Sequence, residues 1–385
     1  MKDELYGGIL TDKRQLGPYP MEKLARVEKP TTRIIGDVHR VDVRGAGTYR
    51  ATRGDYGPFA AKETPRAIPK YPIGAVLKNI TFHFESRADG PIMPGKAPIP
   101  ENPEILSRHI KRLGYFLKAD IMGICQIPPY AVYKFDGKGN SVELYHKFAI
   151  LIVVDQEYET MCGSTGTDWI SGPQSYIAYS TSAFIASIMA EYIRKLGYPA
   201  RAQHVGTYQV AITPLLIWAG IGEMSRMGGS ALNPFIGARF KAAAVTTDLP
   251  LIPDKPIDFG LQEFCRVCKK CAIECPVEAI PMGDKVIYNG YETWRHDEER
   301  CTKFRFTHPD GSSCGRCIKV CPWKKPQGMI HDAIRWMIKN TPWLDKFFVK
   351  TDDFWGYGRQ EIDKKWWFDM EEIDGVLQTP KKKTE

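Results

Sequence analysis

Cysteines provide the first chemical signal in this sequence, because eight of its ten lie between Cys265 and Cys321. They form two runs that each end in Cys-Pro. The runs are Cys265-x2-Cys268-x2-Cys271-x3-Cys275-Pro276 and Cys301-x12-Cys314-x2-Cys317-x3-Cys321-Pro322. Three thiolates in one tight loop can cap three corners of an iron–sulfur cubane. The repeated spacing therefore predicts two [4Fe–4S] clusters.

The fourth corner of each cubane needs a ligand from elsewhere, and the cysteine of the other run's Cys-Pro can supply it. We therefore expect crossed ligation. The first predicted cluster is bound by Cys265, Cys268, Cys271 and Cys321. The second is bound by Cys275, Cys301, Cys314 and Cys317. The alternative is a pair of structural zinc sites, since two Cys-x2-Cys pairs can supply four thiolates to one zinc ion. Two tight runs that both end in Cys-Pro favour iron–sulfur clusters.

Composition excludes several other classes of protein. Ten cysteines in 385 residues are too sparse for a disulfide-stapled scaffold, and we expect Cys125 and Cys162 to be buried thiols without a role. The longest apolar run, Phe148 to Val154, is far shorter than the roughly 20 residues that span a bilayer. The net charge of +8 is mild and scattered outside Lys381 to Lys383, so nucleic-acid binding has little support.

An electron path implies a redox centre or a substrate at its end, and the segment before the cysteines has the pattern of an α/β core. The run Phe148 to Val154 is typical of a buried strand. Apolar positions in 182–196, namely Phe184, Ile188, Met189, Tyr192 and Leu196, predict a helix that stops at Gly197. Further strands are predicted at 201–205 and 240–247.

We divide the chain into four parts. Residues 1–85 are rich in breakers such as Gly17-Pro18, Gly57-Pro58 and Tyr71-Pro72, which predict an irregular N-terminal wrap. Residues 86–255 form the core, and residues 256–330 form the cluster domain, entered through a linker at 254–260. Residues 331–385 are expected to pack on the core as a C-terminal wrap through their tryptophans, which are Trp336, Trp343, Trp355, Trp366 and Trp367.

Several stretches around the cysteines resemble the cobalamin-dependent reductive dehalogenases. They are Gly220-Ile-Gly-Glu-Met-Ser-Arg-Met-Gly228, Val245-Thr-Thr-Asp-Leu-Pro-Leu251, Phe264-Cys-Arg-Val-Cys-Lys-Lys-Cys-Ala272, Ile330-His-Asp332, Lys339-Asn-Thr341 and Gly356-Tyr-Gly358. The resemblance runs from about 145 to 360. It implies an α/β (α+β) fold in which a nitroreductase-like core holds a base-off corrinoid, joined to a bacterial ferredoxin-like domain with two [4Fe–4S] clusters. It also implies a Co(I) corrinoid that cleaves a carbon–halogen bond with electrons from the clusters.

The resemblance implies Tyr179 as the proton donor and Lys241 as the cation beside it. A tyrosine hydroxyl is a weak acid, and a neighbouring ammonium group stabilises its phenolate. Arg239 is the alternative cation if the alignment slips by two residues. Two positions depart from some members of the family. His204 could polarise substrate or be a half-buried structural histidine, and Arg305 could pair with an anionic organohalide or be a surface arginine near a cluster.

The resemblance also suggests where the corrinoid lies. Glycines permit a close approach of the backbone to a bound group. The expected corrinoid contacts are Gly206, Gly222, Ser225, Arg226, Met227 and Gly228.

Two other functions compete with the dehalogenase. Epoxyqueuosine reductase, a tRNA-modifying enzyme, shares the core, the corrinoid and the double cluster. It tends to carry a Trp-Ile-Gly-Lys-type segment where this chain has Glu223 to Met227, and an acidic proton donor in place of Tyr179. A corrinoid-free ferredoxin-type electron-transfer protein would leave the α/β core without a purpose.

Partners and compartment follow from the resemblance alone. We expect an organohalide substrate, a quinol-linked or ferredoxin/flavodoxin-type electron donor and no nucleic acid. A small membrane anchor protein and a homodimer are further expectations. The chain opens without a signal peptide, which fits either a cytoplasmic enzyme or the mature form of a protein exported through the twin-arginine route to the outer face of the cytoplasmic membrane.

Overall fold

A computed structural model describes residues 14–143, 145–164, 170–309, 311–365 and 370–379. Lys381 to Lys383, Trp366 and Trp367 lie outside these residues. The α-helices are α1 (Gly47–Arg53), α2 (Pro58–Glu63), α3 (Pro72–His83), α4 (Pro103–Phe116), α5 (Tyr158–Gly163), α6 (Ser171–Lys195), α7 (Ile212–Trp218), α8 (Leu261–Cys268), α9 (Lys270–Ile273), α10 (Glu298–Thr307), α11 (Arg316–Lys319), α12 (Met329–Asn340) and α13 (Asp345–Phe354). The strands are β1 (Ile121–Gln126), β2 (Phe148–Asp155), β3 (Ala200–Gln203), β4 (Glu223–Met224), β5 (Ala231–Leu232), β6 (Phe240–Thr247), β7 (Val286–Tyr288), β8 (Tyr291–Thr293), β9 (Glu371–Ile373) and β10 (Val376–Gln378).

A four-stranded sheet of order β1-β2-β6-β3 forms the centre of the core, and its strand pairs are antiparallel. Strand β2 is apolar from Phe148 to Val154 because both faces of the sheet are covered. Ile150 and Ile152 belong to one apolar cluster with α4 and α6, whereas Leu151 and Val153 belong to a second cluster with α7. The predicted strands at 148–154 and 240–247 are confirmed, and the strand predicted at 201–205 spans Ala200–Gln203.

Helix α6 is longer than its apolar pattern predicts. It begins at Ser171 rather than at 182, because its first half is too polar to show a clear period. The predicted buried face is also partly wrong. Phe184 and Ile188 are 44% and 36% exposed, while Ile185 and Ile193 are fully buried against the sheet. The stop at Gly197 is confirmed, since this residue has a φ of 86° just past the helix end.

The N-terminal segment corrects the prediction of irregular structure. The Gly57-Pro58 and Tyr71-Pro72 breakers are the starts of α2 and α3, where each proline occupies the first turn. Proline is favoured there because the amide hydrogen that it lacks would have no partner within the helix. Ala51 of α1 and Ala60 of α2 also form a small apolar cluster with Tyr56.

The segments around the cluster domain show two further differences. The predicted linker at 254–260 is anchored, since Asp254 accepts hydrogen bonds from Lys111 Nζ at 2.6 Å and from the Ile124 amide at 2.8 Å. The C-terminal tryptophans were expected to pack inwards, and this is wrong for the three that are described. Their exposures are 65% for Trp336, 75% for Trp343 and 56% for Trp355. Helices α12 and α13 instead bury their opposite faces, through residues such as Ile338. None of the described helices is long and apolar enough to span a membrane.

Replacing Ile152 with alanine should lower the free energy of unfolding by about 2–4 kcal/mol. The lost side-chain atoms would leave a cavity beside an inner strand of a sheet that is buried on both faces. Ile287→Ala is the control, since Ile287 lies on a short strand and is 67% exposed, and its effect should stay within about 0.5 kcal/mol. Urea unfolding of the cluster-loaded protein measures both changes. Equal effects of the two substitutions would contradict the placement of β2.

Candidate functional site

The first predicted cluster set is brought together from three parts of the chain. Cys265 and Cys268 lie on α8, Cys271 lies on α9, and Cys321 directly precedes a 3-10 turn at Pro322–Lys324. Cys321 interacts electrostatically with Cys265 and Cys268, and Cys271 does so with all three. The cysteine of the second Cys-Pro therefore returns to the first run.

The second predicted set has the same crossed character. Cys301 lies on α10 and Cys317 on α11, and Cys317 interacts with Cys314, Cys301 and Cys275. The sulfur of Cys275 also accepts a hydrogen bond from the Ala279 amide at 3.2 Å. The two sets adjoin each other, because Cys271 interacts with Cys317 as well.

These thiols fit iron–sulfur clusters better than single ions. None of the eight is in a disulfide. In the described part of the chain, no three His, Cys, Asp or Glu side chains converge closely enough to hold one metal ion. A zinc ion draws four thiolates to about 2.3 Å from one centre, whereas a four-iron cluster holds them further apart. Burial raises the pKa of Cys265 to about 11 and that of Cys268 to about 12, so these thiols need bound metal to ionise.

A cavity of about 670 Å³ lies between the core and the cluster domain. Its wall includes Lys241 from β6, Ser175 from α6 and Arg305 from α10. Four cysteines of the second predicted set also line it, namely Cys275, Cys301, Cys314 and Cys317. A molecule in this cavity would therefore be in reach of both the core side chains and one cluster.

Lys241 lines this cavity and contacts Tyr179, which is not itself among the described lining residues. Tyr179 lies on α6, one helical turn beyond the cavity-lining Ser175, and is half-buried. The Lys241 ammonium group lies over its ring, 5.3 Å from the centroid. This pairing follows from the register of the sheet, in which Lys241 pairs with Val154 near the end of β2.

Arg239, the alternative cation, is engaged elsewhere. Its Nε and Nη2 atoms each donate to Asp155 at 2.6 Å, and Nη1 donates to the backbone carbonyl of Lys324. The side chain is only 2% exposed. The structure thus places Lys241, and not Arg239, against Tyr179.

Other tyrosines surround Tyr179 that sequence reasoning did not select. The ring of Tyr176 stands edge-on to that of Tyr179, with 5.7 Å between centroids. Burial raises the pKa of Tyr176 to about 12, with a further rise from Tyr179 and an opposing effect of Arg305. Burial likewise raises the pKa of Tyr133 to about 12 and that of Tyr208 well above its ordinary value. These three hydroxyls hold their protons firmly. Only the spacing of Tyr176 and Tyr179 on one helix face could have indicated this cluster.

Arg305 lines the cavity and retains an uncompensated charge in the described part of the chain. Its Nη2 atom donates to Thr48 Oγ1 at 3.4 Å, and its guanidinium group lies 4.7 Å from the centroid of Phe306. Its buried Nε atom finds no hydrogen-bond partner among the described residues. By contrast, the nearby cations Arg295 and Arg316 form ion pairs with Glu298 and Glu274.

His204 is placed away from this wall. It is fully buried, and its Nδ1 atom lies 3.0 Å from the carbonyl oxygen of Val205. Burial lowers the pKa of His204, so the ring is neutral near pH 7. The described residues that line the cavity do not include it. The arrangement is that of a structural histidine.

The predicted corrinoid contacts divide into two groups. Met227 and Gly228 line the cavity, with Gly229 and Ser230 beside them. The others face protein: a side chain on Gly222 would meet the Leu232 carbonyl, and one on Gly206 would meet Glu85. Ser225 donates to the Ser230 carbonyl at 2.9 Å. Arg226 is buried beneath the first cysteine run, where its Nε atom donates to the Cys265 carbonyl at 2.8 Å.

The cavity wall fits a large cofactor that carries amide groups. Gln156 Oε1 and His296 Nδ1 both belong to cavity-lining residues, and both are buried without a hydrogen-bond partner in the described structure. Unpaired buried polar atoms are costly, so they indicate a missing partner. Gly228, with a φ of 71°, packs against His296 where a side chain would collide.

Known proteins are similar to the cluster segment and to larger parts of the chain. Residues 264–325 match the family model of the 4Fe-4S dicluster domain. The tetrachloroethene reductive dehalogenase of Sulfurospirillum multivorans is 38% identical over 205 residues, which are 49% of this chain and 40% of that protein. The chain therefore spans well under half the length of this curated relative.

Solved structures are similar over nearly the whole chain. The catabolic reductive dehalogenase NpRdhA is 41% identical with a TM-score of 0.92, covering 96% of this chain and 54% of that one. The same enzyme has been solved in complex with 3-bromo-4-hydroxybenzoic acid, at 40% identity and a TM-score of 0.93, over 98% of this chain and 55% of that one. Another such structure, described in terms of B12-dependent dehalogenation, is 41% identical with a TM-score of 0.92, and the match covers 98% of this chain and 56% of that one.

The crossed ligation makes a specific prediction for cysteine substitutions. Cys275→Ala should damage the same cluster as Cys314→Ala, and Cys321→Ala the same one as Cys268→Ala, because each Cys-Pro cysteine serves the other run. Each variant should lose about four of about eight irons per chain. Iron content and electron paramagnetic resonance spectra of the reduced proteins measure this. Cys125→Ala, which removes a buried thiol outside both runs, is the control and should retain all iron. If Cys275→Ala instead damaged the same cluster as Cys268→Ala, crossed ligation would be ruled out.

Proposed function

Because this chain is a homologue of the reductive dehalogenases, we propose that it replaces a halogen on an organohalide by hydrogen. The reaction R–X + 2 e⁻ + H⁺ → R–H + X⁻ needs an electron path, a proton donor and a pocket. One observation carries the proposal: a single cavity has cluster cysteines in one wall and Lys241, which lies over Tyr179, in another.

The cavity residues support binding of a corrinoid. Met227, Gly228 and Gly229 would lie against it, and Gln156 and His296 would hydrogen bond its amide groups. A reduced corrinoid supplies the strong nucleophile or electron donor that carbon–halogen cleavage requires. The remaining tasks, which are binding, orientation and protonation, fall to side chains of the chain itself.

Proton delivery is proposed for Tyr179. Its hydroxyl proton passes to the carbon from which the halide leaves, and Lys241 stabilises the negative charge left on the phenolic oxygen. The neighbouring hydroxyls of Tyr176 and Tyr208 are less suited, because burial raises their pKa values. Because Tyr179 is half-buried, a proton from solvent then restores its hydroxyl group.

The charge of the cavity supports an anionic substrate. Lys241 and Arg305 form no ion pair in the described part of the chain, so a carboxylate or phenolate would meet two cations. A relative solved with 3-bromo-4-hydroxybenzoic acid, which carries both groups, is consistent with this substrate class. We therefore propose a halogenated phenol or benzoate as substrate.

A tRNA-modifying function has weaker support. An epoxyqueuosine reductase from Cyclobacterium marinum is 29% identical over 121 residues, which are only 28% of this chain and 34% of that protein. The position that resemblance assigns to the proton donor holds Tyr179 rather than an acid. A ferredoxin-type electron-transfer protein without corrinoid would leave the cavity unused.

Partners and compartment stay predictions. The segment 329–355, which contains α12 and α13, exposes large aromatic side chains, including Trp343 at 75% and Phe354 at 85%. Exposed apolar surface of this kind is typical of a contact with another protein, which supports the expected membrane anchor protein or electron donor. The proposed donor is quinol-linked or of ferredoxin or flavodoxin type. A homodimer, and a place either in the cytoplasm or at the outer face of the cytoplasmic membrane, are likewise proposals.

The activity itself is tested with Tyr179→Phe. The full chain, loaded anaerobically, should bind about eight irons and one cobalt, and should release halide from halogenated phenols. Tyr179→Phe should retain both metals but lose at least about 100-fold in halide release, because the donated proton is missing. Tyr192→Phe is the matched control: it lies on the same helix with its hydroxyl 2.8 Å from His109 Nε2, and should remain active.

Two outcomes contradict this proposal. Iron without corrinoid binding would exclude both corrinoid-dependent functions. Activity on epoxyqueuosine-containing tRNA without halide release would favour the tRNA-modifying enzyme.

Arg305→Leu tests the charge preference. The variant should lose most of its preference for a halogenated phenol over its neutral methyl ether, by about tenfold in the ratio of kcat/KM values, because an anion loses a charge-assisted hydrogen bond worth roughly 1.5–3 kcal/mol. Arg300→Leu, on the same helix but paired with Asp297 at the surface, is the control and should change nothing. An unchanged preference in Arg305→Leu would remove the assigned role.

A further inference from the structure

Arg226 heads the described residues that are less than 2% exposed when these are ordered by size, with 1% of its surface exposed. It follows β4 and lies within the Gly220 to Gly228 stretch, where the sequence suggested a corrinoid contact. Burying a guanidinium group is costly unless its charge is compensated. The identity of its partners therefore decides what the residue does.

The partners of Arg226 are backbone carbonyls. Nε donates to Cys265 O at 2.8 Å, and Nη1 donates to Pro281 O at 2.7 Å and Gly283 O at 2.8 Å. Nη2 donates to Arg266 O at 3.4 Å, and the guanidinium group lies 4.6 Å from the ring centroid of Trp294. These neutral groups satisfy its hydrogen bonds, and Asp284 acts on its charge without forming an ion pair with it.

This charge adjoins the first predicted cluster. Arg226 has the largest electrostatic effect of the charged side chains that act on Cys265. Glu223 has a smaller effect of opposite sign, and Lys285 a still smaller effect of the same sign as Arg226. Lys285 lies 4.8 Å from the ring centroid of the same Trp294 and donates to Gln262 Oε1 at 2.7 Å. Lys270, which acts on Cys268, is by contrast paired with two aspartates.

Cations also lie near the second predicted cluster: Arg305 lines the same cavity as its cysteines, and the buried Lys319 lies two residues after Cys317. Arg305 and Glu298 both act on Cys301, with opposite signs. Arg316, next to Cys317, forms an ion pair with Glu274 at 2.7 Å. The two clusters therefore lie in different electrostatic surroundings, although their cysteines are arranged alike.

We propose that Arg226 is a tuning residue that raises the reduction potential of the cluster bound by Cys265, Cys268, Cys271 and Cys321. Reduction adds one electron, and so one negative charge, to a cluster without breaking a bond. A fixed buried cation stabilises that reduced state. The first cluster is then more readily reduced than it would be without Arg226. The inference rests on the cluster-binding segment and not on the dehalogenase activity.

Potentiometric titration monitored by electron paramagnetic resonance tests this in the full chain with reconstituted clusters, without corrinoid or organohalide. Arg226→Met should lower the midpoint of one reduction step, and at a fixed potential the ratio of reduced to oxidised cluster should fall about tenfold, equivalent to about 59 mV for a one-electron step. The affected step should be the one that is lost in Cys268→Ala and retained in Cys314→Ala.

Three further variants separate charge from structure. Arg226→Lys retains the charge and should restore most of the midpoint. Lys285→Met removes the second cation while the Arg226 hydrogen bonds remain, and should lower the same midpoint by a smaller amount. Arg266→Met is the matched control, because Arg266 adjoins Cys265 in the chain but is exposed and paired with Glu263; it should leave both midpoints unchanged.

The outcomes are decisive even if Arg226→Met loses iron. In that case Lys285→Met and Arg226→Lys still report the charge effect on an intact cluster. Unchanged midpoints in Lys285→Met together with loss of iron in both Arg226 variants would overturn the proposal and leave Arg226 a structural residue. A shift confined to the other reduction step would overturn it as well. An unchanged midpoint in Arg226→Met that retains its iron would overturn it too, whatever the halide release of the variant.

Discussion

The buried ion pair between Arg239 and Asp155 is the interaction on which the rest of the arrangement depends. It closes the end of the central sheet, where β2 finishes and β6 begins, and its third donor reaches the carbonyl of Lys324, three residues after Cys321. One guanidinium group thus fastens the iron–sulfur segment to the sheet. Lys241 follows two residues later and faces Tyr179, so the same corner orients the proposed proton donor. Breaking a buried pair of this kind leaves an unpaired charge, at a cost of about 3–5 kcal/mol.

The cavity at this corner is where the electrons and the proton of the proposed reaction would meet. In the proposed reaction, electrons enter from the cysteine-lined side and the proton comes from Tyr179 on α6. The groups that would deliver the proton and the electrons are held by regular structure. Tyr179 lies on α6, which packs along the sheet, and the cysteine runs include short helices. Rigid supports of this type keep reacting groups within small tolerances without a loop having to close.

Part of this could be predicted from sequence because some signals are local. Cysteine spacing specified the sites of metal binding, and the apolar runs of β2 and β6 predicted both central strands. The juxtaposition of Tyr179 and Lys241 depended on resemblance, since no local pattern pairs residues 62 positions apart. The N-terminal helices were missed because proline marks both a break and a helix start. Arg226 was predicted to contact the corrinoid, whereas it binds backbone carbonyls. A buried arginine with such partners has no signature in the periodicity or the charge pattern of the sequence.

Five of the described tryptophans form two kinds of intrinsic fluorophore. Trp294 and Trp323 are buried beside the cysteine runs, with Trp323 two residues from Cys321, whereas Trp336 on α12, Trp343 between α12 and α13, and Trp355 just after α13 face solvent. Indoles in water emit at longer wavelengths than buried ones, and iron–sulfur clusters quench nearby emission by energy transfer. The blue part of the spectrum therefore follows the filling of the metal sites, and the red part follows anything that covers the C-terminal helices. The chain carries separate optical signals for its loading and for its assembly.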